Sequence, residues 1–156
     1  MKLTENFTLE ELIKDSVAVR NGIFNVPDSW AKDGLQYLAI NILQKVRDYY
    51  KKPVIVSSGY RSTKLNTLIG GSSTSQHMKG QAADFEVDGI DNMELAKWIS
   101  KNLSYDQIIL EFYDAKDGKN SGWVHCSYVS EERNRKICLR AKRVDGKTVY
   151  KDGLDG

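Results

Sequence analysis

Three segments of this chain alternate apolar and polar side chains with a period of two, which restricts them to strands with unlike faces. Along 81–87, Ala82, Asp84 and Glu86 share one face and Ala83, Phe85 and Val87 the other. Along 105–112, Tyr105, Gln107, Ile109 and Glu111 oppose Asp106, Ile108, Leu110 and Phe112. Along 122–128, Trp123, His125 and Ser127 oppose Val124, Cys126 and Tyr128. Each segment has one mainly apolar face to bury and one face that carries groups capable of chemistry.

Helical spacing dominates the first third of the chain. Thr8-Leu9-Glu10-Glu11 is a capping box that opens a short helix ending near Asp15-Ser16. Asp28 caps a longer helix through Leu35, Leu38, Ile42, Val46 and Tyr49, which stops before Pro53. Val54 to Ser57 reads as a short buried strand, and the polar stretch from Leu65 to Lys79 as a loop held by specific contacts. Asp91 caps a helix through Leu95, Trp98 and Ile99. Ile137–Val144 and Thr148–Tyr150 flank Asp145-Gly146, a strong hairpin signal, and the tail from Gly153 to Gly156 is expected to fray. Helices early and an antiparallel meander late make this an α+β pattern.

The 156 residues are read as one domain, 1–156, with the informative motifs in about 7–128 and a C-terminal hairpin and tail in 136–156. A hydrophobic fraction of 40% and a net charge of +2 describe an ordinary globular chain and give no basic face for nucleic acid. The densest basic stretch, Arg133 to Arg143, reads as a solvated strand surface. Neither a secretory signal nor an apolar stretch of membrane-spanning length is evident, so cytoplasmic synthesis without membrane insertion is expected. Cys126 and Cys138 are too few for a disulfide framework and read as core thiols.

The loop from Tyr113 to Ser121 most simply joins its flanking strands as an antiparallel hairpin. If Glu111 pairs with Trp123, Ile109 pairs with His125, and Glu111 lies diagonal to His125 on one face, about 7–8 Å away between backbones. A one-residue slip would turn Glu111 to the wrong side.

His77 and His125 are the only two histidines, and each lies in a segment that reads as half of one metal site. Imidazole is the commonest zinc ligand, and two imidazoles with one carboxylate leave a fourth tetrahedral position for water. An open position marks a catalytic zinc rather than a structural one.

Ser58-Gly59-Tyr60-Arg61-Ser62, Leu65-Asn66, Ser75-x-His77-x-x-Gly80-x-Ala82-x-Asp84 and Trp123-Val124-His125 together resemble the zinc D-Ala-D-Ala carboxypeptidase family. That family takes in D-Ala-D-Ala dipeptidases and phage L-alanyl-D-glutamate endopeptidases. The resemblance runs from about Phe7 to about Ser127, in order and spacing.

The resemblance implies a hedgehog/DD-peptidase fold, a small antiparallel sheet with helices packed on one side, holding one zinc ion. His77, Asp84 and His125 match the family's zinc ligands, Arg61 its arginine at the substrate carbonyl or carboxylate, and Ser75 a substrate-contacting serine. Many members place a catalytic glutamate three residues before the last histidine, where this chain has Gly122. Glu111 is the substitute read here, with Asp114 and Glu86 as the other carboxylates to consider. The expected protein is a monomeric zinc peptidase that cuts peptidoglycan stem peptides as a D,D-carboxypeptidase or L,D-endopeptidase. It would act at the cell wall, with release of a phage or prophage type. The alternative is a non-catalytic zinc domain that binds cell-wall peptide or a protein partner. A structural zinc domain fits the ligand set least.

Overall fold

The computed structural model describes residues 1–155. Side-chain caps set its helix starts. Thr8 and Glu11 form the full capping box that opens α1, Leu9–Ile13. Asp15 does not simply close that helix; its carboxylate accepts from the Ala18 amide and opens α2, Ser16–Arg20.

Asp28 caps α3, Ser29–Leu38, which continues through a π-helical turn, Ala39–Leu43, into α4, Gln44–Tyr50. Leu35, Leu38, Ile42 and Val46 are buried as their spacing predicts, but Tyr49 is exposed and stacks on Trp98. The wider π turn takes up an extra residue, so the inward stripe slips by one and Tyr50 packs against the core instead.

β1, Val54–Ser58, follows, and then a helix where the sequence suggested only loop: α5, Thr63–Leu68. Ser62 supplies its N-cap, and fully buried Leu65 anchors it to the core. The remaining elements are β2 (Ala82–Val87), α6 (Asn92–Asn102, capped by Asp91), β3 (Gln107–Glu111), β4 (Trp123–Ser127), β5 (Ile137–Val144) and β6 (Lys147–Asp152).

The six strands form one sheet in the order β1-β2-β4-β3-β5-β6. All pairs are antiparallel except β3 and β5, which run parallel. The parallel pair departs from the expected meander, and its cause is local. After β4 the chain crosses back to the start of β3, where the Asp106 carboxylate accepts from the Arg135 amide and guanidinium. The Ile137 amide then donates to the Asp106 carbonyl, so β5 sets out level with β3 and in its direction.

The apolar face of the sheet, Ala83, Phe85, Ile108, Leu110, Val124 and Cys126, shares one buried cluster with Leu35, Ile42, Val46, Leu95 and Ile99 of the helices. Helices thus cover one face, and the other face is left to the polar residues. Leu154 joins this cluster rather than fraying, with the Gly153 amide donating to the Cys138 carbonyl. Gly156 lies outside the described residues. Among the described residues no helix is long and apolar enough to cross a membrane.

Candidate metal centre

Asp84 and His125 are direct partners across β2 and β4, and Ile109 of β3 opposes His125 on the other side. Period two sends all three to the uncovered face. Nδ1 of His125 lies 2.9 Å from Oδ1 of Asp84.

His77 arrives from a different kind of element. It sits in a short 3-10 turn, Gln76–Lys79, which Ser75 opens by accepting from the His77 amide. Gly80 closes the turn at φ +69, and a Cβ there would meet the Ala31 carbonyl oxygen at 2.2 Å. Only glycine fits both the conformation and the space. Nδ1 of His77 lies 2.7 Å from the Gly59 carbonyl oxygen, an acceptor only, so Nδ1 carries the proton. Nε2 is then left with its lone pair facing Asp84 Oδ1, 3.4 Å away. A second hydrogen bond of this kind is how proteins orient metal-binding imidazoles.

One donor atom from each of His77, Asp84 and His125 lies within 4.8 Å of the others. Burial favours the uncharged form of His77 and holds its pKa below the ordinary value, against the pull of Asp84. Burial pushes Asp84 upward, but the close approach of the His125 and His77 imidazoles outweighs it and holds the carboxyl well below the usual range. A neutral imidazole and an ionised carboxylate are the forms that bind a cation. Two imidazole nitrogens and one carboxylate oxygen suit zinc, and the three could hold one ion.

The three line an open cleft of about 350 Å³ with Arg61, Ser75 and Glu111. The Arg61 guanidinium is held from behind, donating to Ser58 Oγ at 3.3 Å and Asn66 Oδ1 at 3.2 Å, with Asp84 Oδ2 at 3.8 Å. Asn66 is itself buried and donates to the Ser72 carbonyl.

β3 and β4 pair Glu111 with Trp123 and Ile109 with His125, the register that places Glu111 diagonal to His125. Glu111 accepts from the Trp123 indole at 2.8 Å. Its carboxyl sits above the ordinary range because of burial first and the Asp84 charge second. Cys126 points the other way and is fully buried. Neither of the other carboxylates reaches the cleft. Glu86 accepts from Asn92 beside Ile55 and Asp88, and Asp114 caps the turn at Ala115–Asp117.

Gln107, Thr74 and Tyr150 also line the cleft, and the sequence motifs single out none of them. Gln107 shares its face with Glu111, so alternation alone could have found it. Tyr150 depends on the parallel β3–β5 pairing, which no local pattern announces. Partial burial and then the Glu111 charge keep its phenol pKa above the ordinary value.

Residues 5–127 match the family model described as peptidase M15. No curated protein matches the chain. Among solved structures, the chain is similar to a mutant of the vancomycin-resistance D,D-pentapeptidase VanY, from the VanB-type resistance cassette, in complex with Zn(II). The identity is 24% over 68% of this chain and 74% of that one, at a TM-score of 0.38.

Proposed function

This chain belongs to the M15 peptidase family, and from that premise we propose that it is a zinc-dependent peptidase acting on the stem peptides of peptidoglycan. The observation that carries the reading is the convergence of His77 Nε2, His125 Nδ1 and Asp84 Oδ1 at the floor of a cleft edged by Glu111 and Arg61. In this reading His77, Asp84 and His125 hold one zinc ion. Zinc held there would act as a Lewis acid towards the scissile carbonyl and the attacking water.

The chain's own groups supply the rest. Glu111, oriented by the Trp123 indole, takes the proton of the attacking water and returns it to the leaving amine. Arg61 keeps its guanidinium facing the cleft because Ser58 and Asn66 hold it from behind. There it stabilises the developing oxyanion or holds a substrate carboxylate. Ser75 offers a hydroxyl on the same wall. The reading covers either D,D-carboxypeptidase or L,D-endopeptidase action at the cell wall.

The test replaces Glu111 with glutamine and measures bound zinc beside hydrolysis of a synthetic stem peptide. Glu111→Gln should retain zinc and lower turnover about 10²–10⁴-fold, the contribution of a general base. A wild-type protein that binds the peptide but cleaves no bond would favour a peptide-binding zinc domain instead.

A further inference from the structure

The segment matched to the family ends at residue 127, before β5 and β6 begin. The second of them nevertheless reaches the cleft, through Tyr150. Trp123 pairs with Glu111, Glu111 with Ala141, and Ala141 with Tyr150, so four strands present one row across the sheet. Directly opposed residues share a face, so all four point to the side that bears His125 and Asp84.

Ala141 is the hinge of this arrangement. Strands lie about 4.7–4.9 Å apart, which puts Tyr150 roughly 10 Å from Glu111 between backbones. Ala141 is fully buried and offers only a methyl group, so the Tyr150 ring can lean across it and form part of the cleft wall. A larger side chain at 141 would separate the two.

The order of strands also gives the cleft a direction. Arg61 follows β1 at one end, Asp84 and His125 lie on β2 and β4 with His77 facing Asp84 from the turn before β2, Glu111 lies on β3, and Tyr150 lies on β6 at the far edge. Glu111 must deliver its proton to the nitrogen that departs. The carbonyl therefore faces Arg61, and the departing residue extends over β3 towards β6.

We propose that Tyr150 is a substrate-binding residue for the leaving-group side, its ring packing on the first departing residue and its hydroxyl donating to that residue's carbonyl or carboxylate oxygen. This rests on the peptidase reading above and goes beyond it. It makes the C-terminal hairpin a determinant of which bond is cut, because the residue that carries the scissile nitrogen must fit against this tyrosine.

The experiment uses the full-length, zinc-loaded protein and two synthetic stem peptides with a common acyl part. One ends at the first residue after the scissile bond, and the other continues by several residues. Tyr150→Ala should lower kcat/KM about five- to tenfold, mainly through KM, the size expected for one aromatic contact. It should also change the ratio between the two peptides. Tyr150→Phe keeps the ring and should lose only about threefold, and more on whichever peptide presents the better acceptor, a terminal carboxylate or an internal carbonyl. Zinc content and melting temperature should match the wild type in Tyr150→Phe, which keeps the test valid if Tyr150→Ala folds poorly. Unchanged kcat/KM and unchanged discrimination in both variants would overturn the proposal. A wild-type protein that neither binds nor cleaves either peptide overturns the peptidase reading itself, and this proposal falls with it.

Discussion

Gly122 is packed against the backbone of Glu111: a Cβ on Gly122 would lie 2.0 Å from the Glu111 carbonyl oxygen. The glycine also holds φ +64, in the left-handed region. The position at which the family resemblance leads one to expect a glutamate therefore leaves no room for a side chain unless the backbone shifts. The carboxylate at the cleft comes instead from Glu111, on the neighbouring strand.

Restoring glutamate at 122 should consequently damage the protein rather than supplement its chemistry. Gly122→Ala and Gly122→Glu should each cost about 1–3 kcal/mol from backbone strain alone, with the contact adding to it. Thermal unfolding measures this directly. A Gly122→Glu protein as stable as wild type would mean that the β3–β4 connection can adopt another path.

Arg61 contacts Asp84 only at 3.8 Å but is held by Ser58 and Asn66 towards the cleft. Arg61→Ala should keep zinc near one equivalent and lower turnover about 10²–10³-fold, as loss of an oxyanion donor does. Arg61→Lys should recover little, because a lysine cannot reproduce the planar fork that meets both anchors. Metal analysis beside steady-state kinetics separates this from a ligand defect, in which zinc and activity would fall together.

A zinc ion held by His77, Asp84 and His125 would bind the folded site in preference to the unfolded chain, so its removal should lower stability. At a free metal concentration of about 100 times Kd the ion contributes about 2.7 kcal/mol. Chelator should therefore lower the melting temperature of wild type, and His77→Ala should show neither stoichiometric zinc nor a chelator-dependent shift. Equal shifts in both proteins would place the metal elsewhere.

Asp106 ties three chain segments together, accepting from Gln76, Ser127 and Arg135 with 2% of its side chain exposed. Burial raises its pKa, but the hydrogen bonds from Arg135 and then Gln76 outweigh this, leaving it below the ordinary value of 3.8. A depressed folded pKa means the ionised carboxylate stabilises the fold above 3.8, and that stability is lost as pH falls below it towards the folded value. Asp106→Asn should lose about 1.5–3 kcal/mol at neutral pH, the range for hydrogen bonds to a charged group. The gap from wild type should narrow in acid, read by denaturant unfolding at several pH values. A gap independent of pH would show that the charge contributes nothing.

How much of this molecule is legible in its sequence depends on the range of each interaction. The register of β3 and β4 is legible because a short connection, residues 112–122, joins them and alternation leaves Glu111 only one productive side. His77, Asp84 and His125 stand out because their neighbours are constrained by the same site: Ser75 caps the turn and Gly80 closes it. Contacts made across long separations leave no such trace. The parallel pairing of β3 with β5 rests on Asp106 and Arg135, 29 residues apart, and it alone brings Tyr150 to the cleft. Leu154 reads as part of a frayed tail because a single leucine among glycines and aspartates carries no periodicity, yet it closes the core. The helix at Thr63–Leu68 escapes the sequence pattern because its polar residues mask two buried ones, Leu65 and Asn66.

The most direct measurement of the central claim is digestion of purified peptidoglycan by the zinc-loaded protein, with and without chelator, and identification of the products by mass spectrometry. Hydrolysis of one kind of stem-peptide bond, abolished by chelator and restored by added zinc, is the predicted result. Intact stem peptides after incubation with fully zinc-loaded protein, or cleavage that persists in metal-free protein, would contradict it.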